Sequence, residues 1–139
     1  MNWLKSFGAC VAICFAMTAL AGCGPKELPK RKLYAIRGTV MINGEPVRYA
    51  SVVFRPQDLT QGLPADGETD ENGVFSLRTY SNDGVPDGAA AGVYSVTIGD
   101  HPGGYPKGVT PTRLPKRPLE LESPVEVTAD DNDLTIEIP

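Results

Sequence analysis

The chain has 139 residues, with 13 Lys and Arg against 17 Asp and Glu, a formal charge of −4 at neutral pH and a single histidine. That balance excludes the dense basic surface of a nucleic-acid binder. One histidine excludes any centre built on several imidazoles, and the length fits one core better than two ordinary domains.

The N-terminal stretch has the order of an export signal: Lys5, then a run from Phe7 to Gly22 that is apolar or small apart from Thr18. It ends in Leu20-Ala21-Gly22-Cys23. That quartet resembles the bacterial lipoprotein signal, in which signal peptidase II recognises the three residues before the cysteine and the thiol carries a diacylglycerol. The resemblance implies a signal peptide over residues 1–22, lipidation at Cys23 and attachment to the membrane through that lipid. Each buried acyl methylene contributes about 0.8 kcal/mol, and stable anchoring takes two or three chains. The other readings are an ordinary cleaved signal or an uncleaved anchor, and the run is shorter than the roughly 20 residues a spanning helix needs.

Removal of the leader would leave 117 residues, with twelve bases against 17 acids. Cys10 and Cys14 fall in the leader and Cys23 takes the lipid, so no disulfide, thiolate metal site or cysteine nucleophile is left to the folded part. Residues 23–32, with Pro25, Pro29, Lys26, Lys30, Arg31 and Lys32, read as an extended tether. Its bases suit anionic head groups or are those of a solvated linker.

Leu33 to Ile42 alternates with period two, Asn43-Gly44 is a tight-turn pair, and a returning strand is expected from Pro46 or Val47 to Arg55. Residues 56–68 read as a long loop, Thr69 to Gly73 as a turn, and Phe75 and Leu77 as inward residues. The alanines at 89–91 could start a short helix between flanking glycines. Tyr94, Val96 and Ile98 mark a strand, 99–118 a Gly- and Pro-rich excursion, and Val125–Thr128 and Leu134–Ile138 the closing strands. No amphipathic helix follows Cys23, so the expected fold is an all-β sandwich of two antiparallel sheets.

The pattern Gly38-x-Val40, Asn43-Gly44-x-Pro46-Val47, Ala50-x-Val52-x-Phe54, Thr69-Asp70-x-x-Gly73-x-Phe75-x-Leu77 and Gly92-x-Tyr94-x-Val96-x-Ile98 resembles the carboxypeptidase regulatory-like domain. The match covers residues 33–139. It implies an approximately seven-stranded sandwich similar to transthyretin, of the immunoglobulin-like class, as found in short bacterial lipoproteins. Enzymes on related sandwiches use several histidines, or two histidines and two tyrosines on iron. One histidine supplies neither set, so no enzyme and no cofactor are expected.

His101 lies in a loop sequence, and the serines at 51, 76, 81, 95 and 123 lack a Gly-x-Ser-x-Gly elbow. Asp70 with Asn72 and Gly73, and Asp130, Asp131 and Asp133, offer hard oxygens for calcium. Neither completes an EF-hand, since position twelve from Asp70 is Ser81, and turn formation explains both. Asp66, Asp83 and Asp87 also read as turn formers. Tyr49, Tyr80 and Tyr105 lie off the inward rows and are the candidates for stacking on sugars. Tyr105, Lys107, Arg113, Lys116 and Arg117 make the long loop a candidate protein-binding surface. The function expected is a lipid-anchored, non-catalytic β-sandwich, exported to the periplasmic face or cell surface, with an envelope protein or glycan partner. The alternatives are a calcium- or glycan-dependent adhesion domain and, third, a hydrolase.

Overall fold

A computed structural model describes residues 31–81, 83–115, 118–130 and 132–139, and every regular element among them is a strand. After β1 (Leu33–Tyr34), β2 (Ile36–Ile42) buries Ile36, Gly38 and Val40 and exposes Arg37, as period two requires. Asn43 and Gly44 follow at φ 50° and 80°, the pair of positive angles of a type I′ turn. The hairpin closes on β3 (Glu45–Pro46), with Ile42 opposite Glu45 and Met41 opposite Pro46.

The single strand expected from Pro46 or Val47 to Arg55 is in fact two. Tyr49, at φ 58°, turns the chain out of the first sheet and into β4 (Ala50–Pro56) of the second. A bulky residue is unfavourable there. It is held by its own N–H, which donates to the Thr69 carbonyl at 3.2 Å.

The stretch 56–68, expected to be all loop, ends in β5 (Ala65–Glu68), antiparallel to β4. Its residues are weak strand formers, but Ala65 and Gly67 are small, buried and inward. At Gly67 a Cβ would stand 2.3 Å from the Ser76 carbonyl oxygen, so only glycine permits this approach. β6 (Val74–Ser76) pairs with β2, and β7 (Arg78–Thr79) pairs with β5. One extended run thus crosses between sheets at Leu77, whose N–H donates to Ile36 and whose carbonyl accepts from Gly88. β8 (Ala89–Ala90) is a short strand against β1, not the start of a helix.

β9 (Gly92–Asp100) lies along β4, and its other edge carries β10 (Leu119–Glu120) and β11 (Val125–Val127). β12 (Asn132–Ile138) pairs with β2 in parallel, the one departure from antiparallel pairing among the strand pairs described. The result is the all-β sandwich expected. One sheet has the order β12-β2 with β3 and β6 along the outer edge of β2, and the other runs from β10 and β11 through β9, β4 and β5 to β7. Phe54, Phe75 and Tyr94 meet between them, at ring separations of 6.1 and 5.8 Å. Phe75 also covers Gly38, its partner across β2 and β6.

Register defines two ends. At one lie Arg31, β1, the loop 57–64, the hairpin beyond Thr79 and the turn 128–132. At the other lie Asn43-Gly44, Tyr49, Asp70–Gly73 and His101. The excursion expected to begin at Gly99 begins after Asp100, because Gly99 and Asp100 pair with β4, and it is docked at this far end: Leu114 is buried, the Thr112 Oγ1 accepts from the Arg48 N–H at 3.0 Å, and it donates to the Pro46 carbonyl at 3.2 Å.

Candidate functional site

Pairing between β5 and β7 runs through Ala65–Thr79 and Asp66–Arg78 and then stops, because the chain beyond Leu77 belongs to β2. The seam left open there is a groove of about 370 Å³. Arg37, Glu68, Asp70, Ser76, Arg78 and Asp87 line it over a floor of Gly67 and Phe75. A second hollow, about 510 Å³, shares Arg37, Ser76 and Asp87 and continues past Leu77 and Gly88 to Asn132 and Asp133. Arg37 and Ser76 are opposite one another across β2 and β6, while Arg78 bridges to Asp87. Neither Arg37 nor Arg78 forms an ion pair among the described residues. Two planar guanidinium forks flanking a hydroxyl, with carboxylates on the same walls, can orient a small polar or zwitterionic group by paired hydrogen bonds.

Glu68 also faces the loop after β9. His101 Nδ1 accepts from the Gly103 N–H at 3.0 Å, so the neutral ring carries its proton on Nε2, which donates to Glu68 Oε2 at 2.8 Å. The Tyr105 hydroxyl donates to Asp100 at 2.8 Å, with its ring 6.5 Å from the imidazole. This cluster fastens the loop to the groove wall. Glu68 had no signature in the sequence: it meets His101 because Glu68 and Gly99 both stand opposite Ser51 in the β5-β4-β9 register.

Of the hard-oxygen candidates, Asp70 serves its turn. Asp70 Oδ1 accepts from the Asn72 and Val74 N–H groups at 2.8 and 3.0 Å, and Gly73 follows at φ 75°. Ser81 donates to the Gly84 carbonyl in the hairpin at the other end of the sandwich, remote from Asp70. Asn132 knits the last turn: its Oδ1 accepts from the Thr128 N–H and hydroxyl at 3.0 and 3.1 Å, and its Nδ2 donates to the Thr128 and Asp130 carbonyls. Asp133 is exposed on β12, and Asp131 lies outside the described residues. Among the described residues no three His, Cys, Asp or Glu side chains are grouped to hold a metal ion.

Asp66 is not a turn former: it sits within β5, with Oδ1 buried and without a partner. Asp58, not singled out beforehand, caps its loop by accepting from the Thr60 hydroxyl and N–H, which hold its carboxyl below the usual carboxylate range. Tyr80 lies at the Arg31 end, whereas Tyr49 and Tyr105 lie at the far end, so the three share no stacking face. Lys107 and Arg113 are exposed on the excursion; Lys116 and Arg117, like Leu20, Ala21, Gly22 and Cys23, lie outside the described residues.

No protein-family model matches the chain, and no curated protein is similar to it.

Proposed function

We propose that the chain is a lipoprotein whose β-sandwich, a carboxypeptidase regulatory-like domain, is a non-catalytic binding or structural module of the bacterial cell envelope. Signal peptidase II would cut before Cys23, and the lipid there would hold the domain to the membrane by the tether 23–32. The observation that carries the binding role is the seam groove, with the guanidinium groups of Arg37 and Arg78, in no ion pair among the described residues, beside Ser76. Such a surface suits recognition of a polar envelope component, protein or glycan. His101 supports a non-catalytic reading in that its two ring nitrogens bond the Gly103 N–H and Glu68, and neither partner is a hydroxyl.

Cys23→Ala is expected to abolish metabolic labelling by palmitate and to leave the precursor unprocessed. Labelling equal to that of the unchanged chain would refute the anchor. Turnover of ester or peptide substrates by the purified protein, lost in His101→Ala, would refute the non-catalytic reading.

A further inference from the structure

Four large hydrophobic side chains stand exposed among the described residues, and register places all four at the Arg31 end: Leu59 at 72%, Tyr80 at 52%, Val85 at 48% and Val93 at 39%. Leu59 lies in the loop that leaves β4 at Pro56, opposite Tyr94. Val93 is the second residue of β9, and its carbonyl accepts from the Gln57 N–H. Tyr80 and Val85 oppose each other on the hairpin closed by the Ser81–Gly84 bridge and the Thr79–Pro86 hydrogen bond. Arg31 and Lys32 are exposed at the same end, Lys32 above the Tyr34 ring at 5.2 Å. The far end carries no exposed large hydrophobic among the described residues. Exposed apolar groups collected at one place mark a surface that meets something apolar.

We infer that this end is a membrane-docking surface, and that Leu59, Tyr80, Val85 and Val93 enter the interfacial layer of the bilayer that holds Cys23. The inference rests on the lipid anchor proposed above. Cys23 precedes Arg31 by eight residues, a span of at most about 28 Å when fully extended. A short tether confers an effective concentration in the millimolar range, so docking far too weak to detect in a free domain suffices to keep the end seated. In the tether Lys26 and Lys30 are offset by Glu27, and at the docking end Arg31 and Lys32 are outnumbered by Asp58, Asp83, Asp130 and Glu126, the last opposite Val93. Charge therefore gives no net attraction to anionic head groups, and the apolar contact carries the docking. The groove and the His101 loop are then oriented along the side and away from the lipid.

Trp3 is the sole tryptophan, so Trp3→Phe gives a silent background. In that background Leu59→Trp, Val85→Trp and, at the far end, Lys107→Trp each report one position of the full chain. The protein is reconstituted into phosphatidylcholine–phosphatidylglycerol vesicles with brominated acyl chains, and its mass shows whether Cys23 carries lipid. Quenched, blue-shifted emission at positions 59 and 85 with unaltered emission at 107 is expected. Equal emission at all three, or a shift that depends on protein concentration and marks self-association, overturns the inference. Should the mass show an unmodified Cys23, the anchor reading fails by itself. The chain carrying Cys10→Ser and Cys14→Ser is then coupled through Cys23 to a maleimide phospholipid in the same vesicles. Quenching at 59 and 85 there still supports docking, and its absence overturns it.

Discussion

Three Gly→Ala substitutions of the same size, one of them at the seam, separate steric contact from backbone preference. At Gly67 the added methyl would stand 2.3 Å from the Ser76 carbonyl oxygen, about 1 Å inside ordinary contact, and the two nearest atoms, the Ser76 carbonyl oxygen and carbon, are backbone. The two sheets must part there, and overpacking of this kind costs about 3 kcal/mol. At Gly44 nothing lies within 4 Å, but φ is +80°, so the methyl meets only its own backbone and the cost is about 1 kcal/mol. At Gly99 the nearest atom is the Pro118 Cβ at 3.8 Å and φ is ordinary, so alanine stabilises the strand by about 0.5 kcal/mol. Urea unfolding reads all three. With a slope of about 1.5 kcal/mol per molar, the midpoint falls by about 2 M for Gly67→Ala and by about 0.7 M for Gly44→Ala, and rises by about 0.3 M for Gly99→Ala. A loss under about 1 kcal/mol at Gly67, or equal losses at all three, would refute the close approach of β5 to the Leu77 crossing.

Tyr94 is buried, which pushes its phenol above the ordinary tyrosine value despite the nearby Arg31 charge, and its hydroxyl donates to the Ala90 carbonyl at 2.7 Å. Its contribution is whole below about pH 10, the unfolded value, and is lost as pH rises through the higher folded value. Tyr94→Phe should therefore cost about 1 kcal/mol at neutral pH, with the gap to the unchanged protein narrowing above about pH 10 in pH-dependent urea titrations. Asn132→Ala removes the side-chain bonds that tie Asn132 to Thr128 and Asp130 and should cost about 2 kcal/mol, measured as a thermal midpoint lower by about 8 °C. Asn132→Asp should recover only part of this, because the carboxylate accepts from Thr128 but donates to nothing. His101→Ala should change global stability by less than about 1 kcal/mol, as an exposed pair does. It should nevertheless speed hydrogen exchange at the Gly103 and Gly104 amides, which bond to the His101 ring and carbonyl.

The elements easiest to read in the sequence were those whose signal is local. Asn43-Gly44 declares a type I′ hairpin within two residues, and Tyr94, Val96 and Ile98 alternate into the core as their spacing implies. β5 was hidden because Ala65, Asp66, Gly67 and Glu68 are poor strand formers, and their place depends on how near Ser76 comes from another part of the chain. The break at Tyr49 was hidden for the opposite reason: tyrosine is a good strand residue, and only the tertiary bond to Thr69 holds it at positive φ. Of the candidate site, His101 was visible as the lone imidazole. Glu68, Arg37 and Arg78 were not, because they converge through register and carry no motif.

The far end shows how such non-local assembly is made secure without a disulfide. Three chain segments meet there, at Pro46–Ala50, at Thr69–Gly73 and at the part of the excursion from Thr112 to Leu114. Two threonine hydroxyls join them: Thr69 Oγ1 accepts from the Ala50 N–H at 2.8 Å, and Thr112 Oγ1 bonds both Arg48 and Pro46. Thr69 is itself buried, where an unmet backbone donor would cost about 1–3 kcal/mol. Replacing Thr69 with valine keeps the shape and removes the acceptor. It should therefore free the Ala50 amide at the very point where Tyr49 turns the chain between sheets. If Thr69→Val is as stable as the original, the main-chain bonds between Tyr49, Ala50 and Thr69 hold the strained turn without the hydroxyl. If it loses the expected 1–3 kcal/mol while Thr112→Val loses less, the hydroxyl of Thr69 is the pin on which the crossing, and with it the mouth of the groove, is set.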